Sequence, residues 1–377
     1  MLFTYSVMKR LLKTLIYFAV FFTSAAYSAD QCSLLITGKL YKSDKPYGKQ
    51  IYQRELQDVE NFFVNNETLG WDEKLEKMLN VDLRKSFFHL RILSQSYESL
   101  DAKFFSKKEA QFKNIEYLIG RAGLYRDLKV QLEQMDEPQI AEYFEKKRLR
   151  ASKDLEKVFT AAGILKAPEK SIEDWKSEFS DYKAWPKTKQ DRKFLLREMV
   201  KFLKDLNRSI EKNEYDNEDL ELGLHRMRRH LREFIYRVVN LNGFIKLTNE
   251  GPLPTELRKW YFELKKENPN INVSAYLPSR DPEIDEPIDI PFQMQSILTE
   301  IVTDIGDIKD KDEPLFYIEQ ALQTQKFSRT TRNRVLEKIV VLRQGSIDQR
   351  QAADAYQNRL RQTRLLSAIV EFLKDQI

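Results

Sequence analysis

The sequence predicts an almost entirely helical protein, and three observations carry that expectation. Among 377 residues there are only 11 Gly and 12 Pro, and long stretches contain neither. Charged residues make up 32%, with Glu, Lys and Arg joined by many Leu, all good helix formers. Apolar residues recur at steps of three and four through much of the chain, as one face of a helix requires. The hydrophobic fraction of 42% is enough for folded cores and excludes a disordered chain.

Residues 1–28 read as a secretory signal. Lys9, Arg10 and Lys13 precede the apolar run 15–22, and small residues follow to Ala29. Ala26 and Ser28 suit the −3 and −1 positions, so cleavage is expected after Ser28 and the mature protein is expected in a bacterial periplasm. The alternative is an uncleaved anchor, for which the apolar run is short. Removing residues 1–28 takes away three cations and no acid, so the formal charge falls from +5 to +2. Any anion site must therefore come from clustering of charge. Cys32 is the only cysteine, which rules out a disulfide within the chain.

Residues 29–69 form an N-terminal extension in which Pro46, Tyr47 and Gly48 mark a loop and helical periodicity begins near Gln50. A first helical unit is expected over 70–165. In it Leu83, Phe87, Leu90, Ser94 and Tyr97 make an inward stripe flanked by Arg84, Phe88 and Arg91. A helix over 105–121 follows; Gly123 is placed to close it and Asp127 to cap the next. Residues 141–162 are a long helix carrying Lys146, Lys147, Arg148 and Arg150. Pro168 and Pro186 mark 166–187 as a linker.

The second helical unit is expected over 188–377. A basic helix spans 188–212, and acids at 216–219 suit the dipole of the helix after them. That helix, 220–247, organises the chain. Its apolar residues at 220, 224, 227, 231, 234, 238 and 241 form one stripe. His225, Arg228 and Arg232 each follow a stripe residue by one position, about 100° round the helix, and make a cationic ladder beside the buried face. Arg226, Arg229, His230 and Arg237 are expected further towards solvent. Shifting by 144 residues superimposes Arg84 on Arg228, Leu83 on Met227 and Leu90 on Phe234, which indicates an internal duplication.

Residues 268–290 contain Pro269, Pro278, Pro282 and Pro287 with five acids, and read as an exposed acidic loop insertion, either shielding the cations or simply solvated. Its acids lack the spacing of a calcium loop. Helix returns over 292–303, and Gly306 and Asp310 repeat the spacing of Gly123 and Asp127. Helices over 313–323, 330–343 and 346–377 finish the chain.

Four segments carry a family resemblance. His225-Arg226-Met227-Arg228-Arg229-His230-Leu231-Arg232, with Tyr236 after it, has the pattern His-x-x-Arg-x-x-x-Arg. Arg84 and Arg91 form a first-half version; Ala122–Val130, with Arg126 and Asp127, and Ile305–Asp310 are two further matched segments. Together they resemble the CHAD family, the conserved histidine α-helical domain, across most of 70–377. The resemblance implies two antiparallel helical bundles with pseudo-twofold symmetry, a basic groove, and binding of inorganic polyphosphate. The chain departs from the family at Val81, where the first-half His would stand, and at Phe88, where a cation would.

The residues themselves also argue for a polyanion. A linear phosphate polymer offers charge and no base to read, so its binder needs repeated donors and no catalytic group. Arg supplies two hydrogen bonds from a planar fork, and side chains at i and i+4 lie about 6 Å apart on a helix. The candidates are His225, Arg228 and Arg232, then Arg229, Arg84, Arg91, Arg126, Lys147 and Arg150. An enzyme is not expected: no Walker loop, Gly-x-Ser-x-Gly elbow or Cys nucleophile with a His partner is present. His225 and His230 sit on different helix faces, which disfavours a shared metal, and no cofactor is expected. Nucleic acid is a weaker candidate, given export and a small net charge. The alternative class is a periplasmic helical scaffold whose basic face docks an acidic protein or envelope lipid phosphate.

Overall fold

A computed structural model describes residues 45–215, 223–241, 243–248, 253–269, 271, 286–343 and 349–377. The expected signal, Cys32, the acids at 216–219 and all but the ends of the 268–290 loop lie outside the described residues. The described chain is all-α apart from one pair of short strands. In order the elements are α1 (Tyr47–Asn65), α2 (Trp71–Asn80), α3 (Arg84–Ser96), α4 (Ala102–Gln134), α5 (Pro138–Ala161), α6 (Pro168–Ser180), α7 (Thr188–Glu211) and α8 (Leu224–Asn240). Then come β1 (Ile245–Thr248), α9 (Thr255–Glu267), β2 (Ile288–Pro291), α10 (Phe292–Thr324), α11 (Arg329–Arg343), α12 (Gln349–Thr363) and α13 (Leu365–Lys374).

The inward stripe of α3 is buried as its spacing requires: Leu83, Phe87, Leu90, Ser94 and Tyr97 all lie inside. The same holds for Leu224, Met227, Leu231, Phe234 and Val238 on α8. These stripes belong to one large core that runs from Tyr47 of α1 to Leu373 of α13 and joins both halves. Two segments expected to lie outside the bundles contribute helices to it. Residues 29–69 contain α1, and the expected linker contains α6, with Pro168 at its first turn, where its missing N–H costs nothing. Tyr52 of α1 stacks on Phe179 of α6, ring centroids 3.8 Å apart.

Two helices are longer than the sequence indicates. Asp101 caps α4 by accepting the Phe104 N–H at 3.0 Å, and the helix then runs 33 residues, straight through Gly120 and Gly123. Likewise α10 runs 33 residues through Gly306 and Pro314. A helical Gly costs only about 1 kcal/mol, which burial of a long apolar face outweighs. The expected breaks at Gly123 and Gly306 are therefore absent. Asp136, in the left-handed region at φ 58°, turns α4 into α5. Near the C-terminus the expected single helix over 346–377 is broken at Arg364, φ 52°.

The helix expected to reach residue 247 stops at Asn240, because Gly243 at φ 83° turns the chain into β1. β1 pairs in parallel with β2, Ile245 opposite Ile288 and Leu247 opposite Ile290. Gln376 caps the other edge of β2: it accepts the Asp289 N–H at 2.8 Å and donates to the Asp289 carbonyl at 2.9 Å.

A second, smaller core lies where the far ends of two helical hairpins meet. Leu128, Leu132, Ile140 and Phe144 of α4–α5 pack against Leu315, Ile318, Leu322, Val335 and Ile339 of α10–α11. Glu137, 1% exposed, fastens this contact. It accepts two bonds from Arg334 at 2.8 and 2.6 Å and one from Lys338 at 2.6 Å. Between the two cores the walls of α4 and α10 stand apart.

Candidate functional site

That gap is a cavity of about 530 Å³, open to solvent, lined by α3, α8, α4 and α10. Six of the nine candidate residues meet there. Arg84 and Arg91 come from α3; His225, Arg228, Arg229 and Arg232 come from α8. The cationic ladder expected beside the buried stripe of α8 thus faces the cavity, together with Arg84 and Arg91 of α3.

The remaining candidates do not line it. Arg126 lies elsewhere on α4, bonded to Glu76 at 3.2 Å, to Asp127 at 3.1 Å and to Asn80 at 3.3 Å. Lys147 sits over the Tyr143 ring on α5 at 5.5 Å, and Arg150 is exposed on the same helix. Arg237, expected towards solvent, is buried: it donates to Ser96, lies 4.5 Å from the Phe202 ring, and burial pulls its guanidinium down to about 10. Its neighbours belong to α3 and α7, which its own helical spacing does not reveal.

The long helices supply groups that the helix-by-helix reading missed. α4 adds Lys113, Glu116, Tyr117 and Arg121; α10 adds Lys309, Glu313, Phe316 and Tyr317. The signal for them was the recurrence at 113, 117 and 121, and at 309, 313, 317 and 320, of polar and aromatic residues on one face of each helix.

Charge is unevenly distributed in the cavity. Eight cationic side chains, Arg84, Arg91, Lys113, Arg121, Arg228, Arg229, Arg232 and Lys309, line it with two carboxylates, Glu116 and Glu313. Glu116 accepts from Arg84 at 3.1 Å and pairs with Arg91 at 3.1 Å, while Arg91 also reaches Glu233 at 3.2 Å. Arg91 is 6% exposed and is held by these two acids from α4 and α8, so it serves as a strut between halves. Arg84 keeps 44% of its side chain exposed. Lys309 is paired to Glu313 at 2.6 Å. Collected in a low-dielectric recess, cations in this excess set up a positive potential.

Two glycines and one phenylalanine position the arginines. A Cβ at Gly120 would sit 2.8 Å from Cζ of Arg84; one at Gly306 would sit 2.5 Å from Nη2 of Arg228. Each guanidinium thus rests against a long helix at a glycine. Arg228 also donates from Nε to the Val302 carbonyl at 3.1 Å, one turn from Gly306. The Phe88 ring of α3 contacts both Arg91 and Arg232, whose guanidinium carbons lie 4.7 and 4.9 Å from its centroid. Packed also against Tyr236 at 4.7 Å, it is a platform for two cations. Val81, by contrast, is exposed in the turn before α3 and does not reach the cavity.

Such a constellation can bind and neutralise negative charge. His225, 5% exposed, lies at the edge of the cavity, and the nearest histidine on the same helix, His230, bonds Tyr215 at 2.9 Å instead. Among the described residues no cluster of His, Cys, Asp and Glu is arranged to hold a metal ion, and no helix is long and apolar enough to cross a membrane. Compared with known proteins, the chain matches no family model, no curated protein and no solved structure.

Proposed function

We propose that this protein is a non-catalytic polyanion-binding protein, CHAD-like, that takes inorganic polyphosphate or another phosphate-rich anion in the basic groove between α3, α8, α4 and α10. The observation that carries this reading is the convergence of eight cations from four helices on one solvent-open cavity with only two carboxylates. Surface cations on a helical protein ordinarily pair with acids one turn away, as Lys146 does with Glu142 at 2.8 Å and Lys157 with Asp154 at 2.9 Å. In the groove Arg84 and Lys309 are paired too, with Glu116 at 3.1 Å and Glu313 at 2.6 Å, but the eight lining cations outnumber the two lining carboxylates. Guanidinium forks match phosphate oxygens two at a time, so a chain of phosphates gains a bidentate pair at each step.

The same geometry supports an internal duplication. Two 33-residue helices each carry a glycine on which an arginine of the partner helix lies, Gly120 with Arg84 and Gly306 with Arg228. In this reading the halves arose from one helical unit, and Phe88 replaces the first-half counterpart of Arg232.

A second reading, a helical scaffold docking an acidic protein or envelope lipid phosphate, is favoured by Arg91, which is already held by Glu116 and Glu233. Calorimetric titration with tripolyphosphate, sulfate and duplex DNA at two salt concentrations separates the two. Polyanion binding is expected to weaken steeply with salt. The double variant Arg228→Glu, Arg232→Glu is expected to remove most of it. Full affinity in that variant rejects the groove.

A further inference from the structure

We propose that the groove selects a nucleoside polyphosphate over a bare phosphate chain, with the phosphates on the arginines of α3 and α8 and the base against an aromatic wall on α4 and α10. This rests on the anion reading above and adds the ligand's second half. The cavity is lined by Tyr117 of α4 and by Phe316 and Tyr317 of α10. An inorganic phosphate chain gains from charged donors; a phenylalanine offers it nothing. A nucleobase gains from such rings by stacking, whatever its sequence identity.

Tyr117 makes the case specific. It is 54% exposed, and among the exposed large hydrophobic side chains of the described residues it is the one that lines the cavity. Its ring is fixed in place. Arg121, one helical turn on, lies 5.2 Å from the Tyr117 centroid and 5.1 Å from that of Tyr317 on the opposite wall. One guanidinium thus ties the two long helices together and leaves Tyr117 with a large open surface. A ring held by a neighbouring cation and more than half exposed is a stacking platform. The cavity volume, about 530 Å³, falls within the ~300–1,000 Å³ common for small-ligand sites. The arginines of α3 and α8, and the rings that α4 and α10 carry among their own charged groups, give two chemistries in one recess, which is what a ribose linking a base to several phosphates spans.

The test is calorimetric titration of the full chain in magnesium-free buffer with inorganic tripolyphosphate and with ATP, for the wild type, Tyr117→Ala, Tyr117→Phe and Phe316→Ala. ATP is expected to bind at least about five-fold more tightly than tripolyphosphate, and Tyr117→Ala to weaken ATP by roughly five- to a hundred-fold, the range of one lost base–ring stack. Tripolyphosphate affinity is expected to fall by less than ATP affinity does in Tyr117→Ala, since the ring also contacts Arg121, and Tyr117→Phe is expected to keep the preference. Tyr117 is exposed, so the melting temperature of its variants is expected to match the wild type. If tripolyphosphate binds and ATP is no tighter, or if the ATP preference survives in both Tyr117→Ala and Phe316→Ala, this inference is overturned and the anion reading stands. If neither ligand binds, the anion reading fails and takes this one with it.

Discussion

Gly306→Ala separates the stability of this fold from the positioning of its arginines. A Cβ at Gly306 would meet Nη2 of Arg228 at 2.5 Å and Nε at 3.1 Å. Ordinary contact begins at 3.4 Å, so the guanidinium must retreat by roughly 0.9 Å, which also strains its bond to the Val302 carbonyl at 3.1 Å. The side chain is long and its end flexible, so it can swing away without moving the backbone. On stability, two effects oppose each other. Alanine favours the helix by about 1 kcal/mol over glycine, and the lost hydrogen bond costs about 1 kcal/mol. The melting temperature should then change by no more than a few degrees. On binding nothing compensates. Charge-assisted bonds from one arginine contribute about 1.5–3 kcal/mol, so phosphate affinity should fall by roughly ten- to a hundred-fold, and no further than in Arg228→Ala. Gly123→Ala is the control, since its Cβ would meet only Leu79 Cδ2 at an ordinary 3.4 Å. It should stabilise slightly and leave binding intact. Calorimetric titration with tripolyphosphate, beside thermal melts followed by circular dichroism, reads both quantities. If Gly306→Ala binds as well as the wild type while Arg228→Ala does not, the glycine does not set the position of the guanidinium and the reasoning fails.

Three further outcomes are expected. Glu137→Gln removes the carboxylate that fastens α11 to the α4–α5 turn; because Arg334 and Lys338 are partly exposed, the loss should be about 1–3 kcal/mol, with faster hydrogen exchange confined to α11 and the end of α4. Unchanged exchange there would contradict the fastening role. Phe88→Leu withdraws the ring under Arg91 and Arg232 and should weaken phosphate binding by about two- to five-fold with the fold retained; undiminished affinity would show the platform to be idle. Three acids should give the pH dependence of stability two limbs. Burial lifts Asp191 and Asp304 to about 6, so their protonated forms are favoured in the fold and stability falls as pH rises from about 4 to 6, by up to about 3 kcal/mol for fully buried Asp191. Glu55, despite burial, is held down to about 2 by His89 and Arg54, so its contribution is lost as pH falls below about 4.5. Melting temperatures across pH 3–8 check both limbs, and Asp191→Asn should flatten the upper one.

The buried stripes of α3 and α8 were legible because a period of 3.6 needs no knowledge of the partner. The same period placed His225, Arg228 and Arg232 beside a buried face, and the 144-residue shift brought Arg84 to the same cavity. What failed were inferences in which a distant element decides. Gly123 and Gly306 read as helix ends, since the cost of glycine is local and visible while the apolar face that outweighs it is not. Gly120, unmarked in the sequence, proved to be where Arg84 rests. Arg126 sat in a motif-like segment, yet it faces Glu76, 50 residues away, on another side of α4. Arg237 looked solvent-facing until Phe202 and Ser96 closed over it. β1 and β2 are four residues each and pair across 43 positions, too short and too separated for periodicity to register. The α4 and α10 walls of the site were missed for a related reason: one-sided polar stripes on long helices gain meaning only when the two helices are seen to face each other.

The most direct test of the groove is a crystal structure of the protein grown with tripolyphosphate. The account predicts phosphate density in the cavity, within hydrogen-bond distance of Arg84 on α3 and Arg228 on α8 in the same molecule. Density confined to the cations of α5, α11 or α12, with the cavity holding only water, would contradict it.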